Sequence, residues 1–367
     1  MNRMVPPAYG VRSNDEAVPL LAVIEAIKER TPWPFMREVL KKNGIPPGNG
    51  WGLLIANASN TLAGGSTVEE FIRKFHREIL ISGERYVKLY ELEQSHVSLL
   101  EAKLRQATPH RSEFSAKYPL PLVNQVLKGM DEAPTLVDVR HYSNGDCCLV
   151  YCSSRSYEHR ERYDYRQLGK EVQNVYKGID QLITIERRYF QAYDVVFFRK
   201  SLMRLELCID QPGRGGVKVA ERAVNRLLPL LCAQSSTFEI VFQRQPLNLF
   251  PAIAGIYRTP GEGTVKTLSF RTLTGSTKTE KMQSDNDDLR REDFHSAGAQ
   301  AVGNQIRPYE IEVDFTFPGT KDFASVVLAA PMRELSADPA NLHHCFVITE
   351  HGGATSLALN KVVKYLP

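Results

Sequence analysis

The sequence predicts an α+β protein with an N-terminal all-helical module, a long connecting helix and a mixed α+β body rich in antiparallel strands. Apolar residues recur at helical spacing in residues 13–108, which is typical of amphipathic helices. After residue 117 they alternate or form short runs, which is typical of strands. Asn144-Gly145 lies between two such runs, and this dipeptide is the strongest short signal for a β-hairpin.

Residues 1–65 are predicted to form the helical module. Apolar residues recur at helical spacing from Val18 to Ile27, and Pro32 ends that pattern. Two further short helices are expected, one in the amphipathic stretch that follows Pro32 and one over residues 51–58. Gly64-Gly65 then ends the module, because glycine commonly lies just beyond the last turn of a helix.

Residues 66–108 are predicted to form the connecting helix. Ser66 and Glu69 fit the S-x-x-E capping box, in which each side chain satisfies the backbone N–H of the other residue. An unbroken helix of about 40 residues would be roughly 60 Å long, and would bridge two domains or pair with a second copy of the chain. Two ordinary helices, interrupted or kinked at Gly83, are the alternative, and the sequence does not distinguish between the two.

Residues 117–367 are predicted to form the mixed α+β body. Strands are expected at residues 136–139, 149–151, 194–199, 202–210, 237–243, 265–272, 309–317, 325–328 and 345–350. Helices are expected at residues 164–173, 217–233, 288–302 and 356–366. Residues 275–287 are polar and have almost no apolar content, so a mobile surface loop is expected there.

The composition is that of an ordinary globular protein, with 43% hydrophobic residues, 24% charged residues and a net charge of +4. These values argue against a histone-like tail and do not suggest global disorder or a coiled-coil rod. No signal peptide is recognised, and no apolar run approaches the roughly 20 residues of a transmembrane segment. A cytoplasmic location is therefore expected, with the nucleus as the alternative. The six cysteines include no C-x-x-C pair, so buried free thiols are expected rather than a metal site.

The excess positive charge is concentrated in residues 155–226. This segment contains 15 Lys and Arg and 10 Asp and Glu, a formal charge of +5, which leaves −1 for the rest of the chain. Cationic side chains neutralise phosphates, and aromatic rings stack on bases. The predicted anion-binding residues are Arg160, Arg162, Arg166, Arg187, Arg188, Arg199, Lys200, Arg204, Arg214 and Lys218, and the predicted stacking residues are Tyr157, Tyr163 and Tyr165. A solvated face with local ion pairs is the alternative, since acidic residues are interspersed.

Arg214 and Lys218 lie in a glycine-rich turn between a predicted strand and a predicted helix. Backbone N–H groups at a helix N-terminus can hold phosphate, so this turn would form the rim of the anion-binding surface. The turn has neither the Walker A spacing nor the dinucleotide-binding spacing of glycines. A plain flexible turn is the alternative.

Residues 309–315 alternate between apolar and acidic side chains, which places Glu310, Glu312 and Asp314 on one face of a predicted strand. The Glu-x-Glu pair resembles the acidic pair of the triphosphate tunnel metalloenzymes. The resemblance implies that Glu310 and Glu312 hold a divalent metal ion inside a β-barrel and that Arg204 binds triphosphate. It covers a few residues of one strand, Asp314 stands where the family has a basic residue, and the pair lies late in the chain. A half-buried strand with a solvated acidic face is the alternative.

The expected function is that of a non-enzymatic interaction protein, an adaptor or sensor whose body binds a polyanion, above all nucleic acid. The helical module would contact another protein, or a second copy through residues 66–108. The sequence contains no motif for nucleophilic catalysis, and no cofactor is expected. Two alternatives stay open: a metal-dependent triphosphate hydrolase that uses Glu310, Glu312 and Arg204, and a purely protein-binding scaffold subunit.

Overall fold

The computed structural model describes residues 18–61, 67–212, 216–283, 287–320 and 322–367. Within these ranges the chain forms thirteen α-helices and ten β-strands. The helices are α1 (Leu20–Lys28), α2 (Trp33–Lys42), α3 (Trp51–Thr61), α4 (Thr67–Ile79), α5 (Gln94–Leu104), α6 (Glu113–Lys117), α7 (Asn124–Lys128), α8 (Lys170–Val175), α9 (Val217–Gln234), α10 (Ser236–Phe242), α11 (Phe250–Arg258), α12 (Asp293–Ala301) and α13 (Gly352–Val363). The strands are β1 (Gly83–Glu91), β2 (Thr135–His141), β3 (Cys147–Asp164), β4 (Gln181–Arg199), β5 (Arg204–Asp210), β6 (Thr264–Thr272), β7 (Thr277–Lys281), β8 (Ile306–Thr316), β9 (Phe323–Ala329) and β10 (Cys345–Thr349).

The ten strands form one antiparallel sheet with the order β2-β3-β4-β5-β1-β10-β9-β8-β6-β7. The predicted α+β class is therefore confirmed. β2 and β3 are joined by the predicted hairpin turn, in which Gly145 adopts φ +85°. Glycine suits this position because a side chain at positive φ would be strained.

Two apolar cores cover the sheet, one on each face. The first core lies beneath α6, α7, α11 and α13 and extends across the sheet from β2 to β6. The second core lies beneath α5, α9 and α10, and its strand residues come from β1 to β5. On this second face the apolar packing ends at Phe346 of β10. Among the described residues, β6, β8 and β9 contribute no side chain to the second core.

Helices α1 to α4 pack around a third apolar core, which includes Ile24, Ile27, Met36 and Leu40. An ion pair between half-buried Arg30 and buried Asp210 anchors this bundle to the sheet, because Arg30 Nη2 lies 2.7 Å from Asp210 Oδ1 at the end of β5. The helical module predicted for residues 1–65 is seen in its described part. Residues 1–17 and 62–66, with Ser66 of the predicted capping box, lie outside the described residues, and the bundle continues through α4.

The prediction of one long helix over residues 66–108 is wrong. The segment holds two helices, as in the alternative, but a strand that begins at Gly83 separates them. α4 ends at Ile79, β1 follows it, and α5 begins at Gln94. Gly83 adopts φ +77°, a conformation outside the right-handed helical region that glycine tolerates best. β1 then forms backbone ladders with β5 and β10 on its two sides. This segment therefore offers no continuous helical face to a second copy.

Two smaller predictions in the body also need correction. Within the polar stretch 275–287, Thr277–Lys281 form β7, an edge strand paired with β6, while residues 284–286 lie outside the described residues. Polar side chains suit an edge strand because they discourage pairing with other chains. The strand predicted over residues 237–243 is instead helix α10, whose N-cap Ser235 accepts a hydrogen bond from the Thr237 N–H.

Candidate nucleic-acid interface

Strands β3 and β4 form a hairpin that extends beyond the rest of the sheet. Their pairing is regular from Cys147 with Phe198 to Asp164 with Gln181. β3 is buried up to Arg155 and β4 is buried from Phe190 onward. Residues 156–164 and 181–189 pair only with each other, and they are half-buried or exposed. We call these two segments the arm; at about 3.3 Å per residue the arm is roughly 30 Å long.

The tip of the arm is an ordered connection between its two strands. It contains a short 3-10 turn at Tyr165–Gln167 and helix α8. The Tyr165 hydroxyl donates to the Gln173 carbonyl at 3.0 Å, and the Gln173 side-chain amide donates to the Tyr165 carbonyl at 2.8 Å. Arg166 is exposed at this tip. Tyr165, a predicted stacking residue, thus has its hydroxyl engaged in holding the tip together.

The two faces of the arm differ in chemistry, because side chains alternate along each strand. On one face Arg160 lies opposite Ile185 and Arg162 lies opposite Ile183, and Arg187 follows in the same row of β4. Glu158, opposite Arg187, and Asp164 lie on the same face, so its three arginines exceed its acidic residues by one. We call Arg160, Arg162, Arg187, Ile183 and Ile185 the arginine face. The side chains of Ile185 and Ile183 are 59% and 51% exposed, although isoleucine is among the residues most often buried. The arginine face therefore combines positive charge with exposed apolar surface.

The arginines of this face are available to a ligand. Arg160, Arg162 and Arg187 are all exposed. Arg160 Nη2 lies 3.0 Å from Glu158 Oε2, and both side chains are more than half exposed. Such a surface pair contributes only about 0.2–1 kcal/mol, so a phosphate group can replace the carboxylate. Arg162 and Arg187 form no ion pair within the described part of the chain.

The opposite face of the arm holds two of the predicted stacking residues. We call Tyr157, Tyr163 and Arg188 the tyrosine face. The ring of Tyr157 meets that of Phe190 edge to face, with centroids 6.1 Å apart. The Tyr163 hydroxyl donates to the Glu161 carboxylate, which raises the pKa of Tyr163. The structure thus separates these tyrosines from the arginine face, and a flat ligand cannot contact both faces at once.

Three other predicted anion-binding residues lie in the body of the sheet. Arg199 and Arg204 are buried, and their guanidinium groups lie 3.1 and 2.6 Å from the carboxylate of Glu206. Burial works to raise the pKa of Glu206, but the two guanidinium groups hold it below its usual value. Lys200 is half-buried, with its ammonium group 2.9 Å from Glu101. The structure therefore does not place Arg199 or Arg204 at an exposed surface.

The glycine-rich turn lies apart from the arm. Lys218 is exposed in the first turn of α9, which packs on the second face of the sheet. Arg214 lies outside the described residues, as does the rest of segment 213–215.

The residues of the triphosphatase alternative do not meet at one site. Arg204 lies on the first face of the sheet, where it bonds to Glu206 beside α13. Glu310 and Glu312 lie on the second face, since the residues that alternate with them belong to the first core. Within the described residues, no group of three or more His, Cys, Asp or Glu side chains is placed to hold a metal ion.

Comparison with known proteins gave no matching family model and no curated protein of significant similarity. Across the part of the chain that the structure describes, we find no helix with the length and apolarity that crossing a membrane requires. The function is therefore inferred from the geometry of the arm. The sequence reasoning missed Ile183 and Ile185, although the β-branched run 183–185 beside two arginines was a signal for an exposed strand.

Proposed function

We propose that this protein binds nucleic acid through the arginine face of the arm, as a non-enzymatic adaptor or sensor. The observation that carries the proposal is the placement of Arg160, Arg162 and Arg187 on one exposed face of a ribbon that stands clear of the sheet. Arginine donates to phosphate through a planar, bidentate group, and it keeps its charge at every physiological pH.

The shape of the arm suits a duplex better than a flat surface. A two-stranded ribbon fits the major groove of B-form DNA, which is about 12 Å wide. In this arrangement the three arginines would contact phosphates, while Ile183 and Ile185 would face the base edges. Apolar side chains that enter a groove contact thymine methyl groups or the faces of partly unstacked bases. Contact with the bases would explain why the isoleucines are exposed, whereas a charged ribbon that only faced solvent would not need them.

The proposal is tested by charge reversal on the arm. Wild-type protein and an Arg160→Glu/Arg162→Glu/Arg187→Glu variant are titrated with a 25-base-pair DNA duplex at several salt concentrations. We expect the variant to bind roughly 100-fold or more weakly at low salt, because three charge-assisted hydrogen bonds contribute at least about 1 kcal/mol each. The slope of log affinity against log salt should fall by about 3, one for each phosphate that is no longer neutralised.

A matched control makes the same change in net charge elsewhere. Lys103, Lys117 and Lys128 are exposed and lie outside the arm. The Lys103→Glu/Lys117→Glu/Lys128→Glu variant should keep most of the duplex affinity. Equal weakening by both variants would mean that net charge, and not the arm, attracts the duplex. Binding of wild-type protein to phosphatidylserine vesicles but not to the duplex would overturn the nucleic-acid proposal.

The isoleucines provide a second, independent readout. An Ile183→Ser/Ile185→Ser variant should bind the duplex more weakly while keeping the wild-type salt slope, since isoleucine releases no counterions. An unchanged affinity would show that the ribbon contacts only phosphates.

A further inference from the structure

The second face of the sheet is uncovered on its C-terminal side. The second core ends at Phe346, and beyond it β9 and β8 present half-buried side chains on this face. Glu310 lies opposite Ala329, and Glu312 lies opposite Val327. We call Glu310, Glu312, Val327 and Ala329 the open face. It combines negative charge with apolar surface, and the second core leaves it uncovered.

The carboxylates of the open face are held in place but not neutralised. Glu310 accepts a hydrogen bond from the Ser269 hydroxyl at 2.6 Å, and Glu312 accepts one from the Thr267 hydroxyl at 2.6 Å. Both donors are uncharged and lie on the neighbouring strand β6. Within the described residues neither glutamate forms an ion pair. Two oriented negative charges are thus presented about 7 Å apart along β8.

The arginine face has the complementary pattern. Arg160 and Arg162 lie two residues apart on one strand, as Glu310 and Glu312 do. Each arginine has an isoleucine as its cross-strand neighbour, and each glutamate has a small or medium apolar one. When two sheets pack face to face about 10 Å apart, arginines can therefore lie over glutamates while isoleucines lie over Ala329 and Val327.

The arm does not reach the open face of its own chain. Its root lies on β3 and β4, and β8 is five strands from β4 in the sheet. At about 4.8 Å per strand this separation is roughly 24 Å. Along β3, Arg160 and Arg162 also continue the row of side chains that includes Cys152 of the first core, whereas the open face lies on the second face of the sheet. The chain that supplies the arm is therefore a different copy.

We propose that the arginine face of one copy docks on the open face of a second copy. A twofold arrangement makes this contact twice, because each copy supplies one arm and one open face. As a consequence, which rests on the proposed function, self-association and duplex binding compete for the same arginines. The partner is a second copy of this chain, and nucleic acid displaces it.

Charge exchange tests the docking directly. Sedimentation equilibrium is measured for wild-type protein, for Arg160→Glu/Arg162→Glu and for Glu310→Arg/Glu312→Arg. At 100 µM protein and 50 mM salt we expect the wild type to be dimeric and each variant monomeric. An equimolar mixture of the two variants should form a heterodimer. One docking site then joins a native arm to a native open face, and the other joins an arm and an open face whose charges are both reversed, so that opposite charges meet at each site.

Further variants keep the test independent of folding defects. Glu310→Gln/Glu312→Gln keeps the hydrogen-bond acceptors for Ser269 and Thr267, and should raise the dissociation constant of the dimer at least about tenfold. The controls are Lys103→Glu/Lys117→Glu and Glu70→Arg/Glu113→Arg, which make the same charge changes at exposed positions outside both faces. These controls should remain dimeric.

The failure of each proposal is distinguishable from that of the other. A wild-type protein that is monomeric under these conditions, or a Glu310→Gln/Glu312→Gln variant with the wild-type dissociation constant, would overturn the docking. Duplex binding is measured separately on the same variants. The glutamine variant should bind the duplex at least as tightly as the wild type, whereas absence of wild-type duplex binding would overturn the proposed function and leave the docking result intact.

Discussion

The two halves of the β3–β4 hairpin have the same strand pairing, but charged side chains are buried in one half and exposed to solvent in the other. In the half inside the sheet, Arg155 and Asp194 are buried and form an ion pair, and Arg199 is buried against Glu206. In the arm, the charged side chains remain in solvent, and their pairs join exposed partners such as Arg160 and Glu158. Residues of the same type thus stabilise the fold in one half and are available to a ligand in the other.

This contrast follows from the cost of removing charge from water. A buried ion must be paired and hydrogen-bonded, so its partner is fixed by the fold. An exposed ion interacts only weakly with its neighbours, so a phosphate or a second protein can replace them. Two of the ten predicted anion-binding residues, Arg199 and Arg204, are therefore not on an exposed surface, because both form buried ion pairs with Glu206.

Removing a buried carboxylate beside the buried half should destabilise the protein strongly. Glu206→Gln leaves the guanidinium groups of Arg199 and Arg204 without their shared counter-charge. We expect the free energy of unfolding to fall by about 3–5 kcal/mol in a urea titration. Glu158→Gln, the matched change in the arm, should alter it by less than about 0.5 kcal/mol. Similar values for the two variants would contradict the contrast between the halves.

A buried ionisable group without a counter-charge should make the free energy of unfolding depend on pH. His76 in α4 is 1% exposed, its Nε2 has no hydrogen-bond partner in the described part of the chain, and burial beside Arg30 and Arg77 lowers its pKa to about 3. Only the unfolded chain, with a histidine pKa near 6.5, takes up this proton between pH 6.5 and 3. Stability is therefore lost as the pH falls, by about 2 kcal/mol from this residue between pH 7 and 5.

The His76→Phe variant isolates this contribution. Its free energy of unfolding should fall less than that of the wild type between pH 7 and 5, by about the same 2 kcal/mol. Equal falls for the two proteins would show that His76 does not titrate in this way.

The coarse fold could be predicted from the sequence, because local periodicity carries it. The Asn144-Gly145 hairpin and the alternation in β8 depend on neighbouring residues and are found where expected. β1 could not be predicted, because its apolar stripe also fits a helix. What makes it a strand is pairing with β5 and β10, which lie far along the chain. A long-range ladder of this kind leaves no trace in a short sequence window.

The sequence predicted which segment carries the candidate site, but not which of its side chains are exposed or which face of the strand each one occupies. Charge counting found the basic segment, yet it gave Arg162 and Arg204 the same weight, although one is exposed and the other buried. The tyrosines were grouped with the arginines because they are interleaved in sequence. Alternation along a strand sends Tyr163 and Arg162 to opposite faces. The face of the sheet on which a side chain lies, and how far it is buried, depend on the neighbouring strands of the whole sheet.

Removing the whole arm should have only a small effect on stability. Replacing residues 158–187 with Asn-Gly joins Tyr157 and Arg188, which pair directly, through a two-residue hairpin turn. Because the deleted strand residues lie outside the cores, the free energy of unfolding should change by less than about 1 kcal/mol. A much larger loss in urea titration would show that the arm supports the fold, and would weaken the division between the two halves.

Amide hydrogen exchange, measured with and without a saturating 25-base-pair duplex, locates the residues that the duplex covers. If the arm binds the duplex, exchange slows in peptides from residues 156–189 and stays unchanged in peptides from the buried parts of β3 and β4 and from residues 103–128. Slowing outside the arm with none inside it, or no slowing at saturation, would contradict the assignment of the nucleic-acid interface to the exposed half of the hairpin.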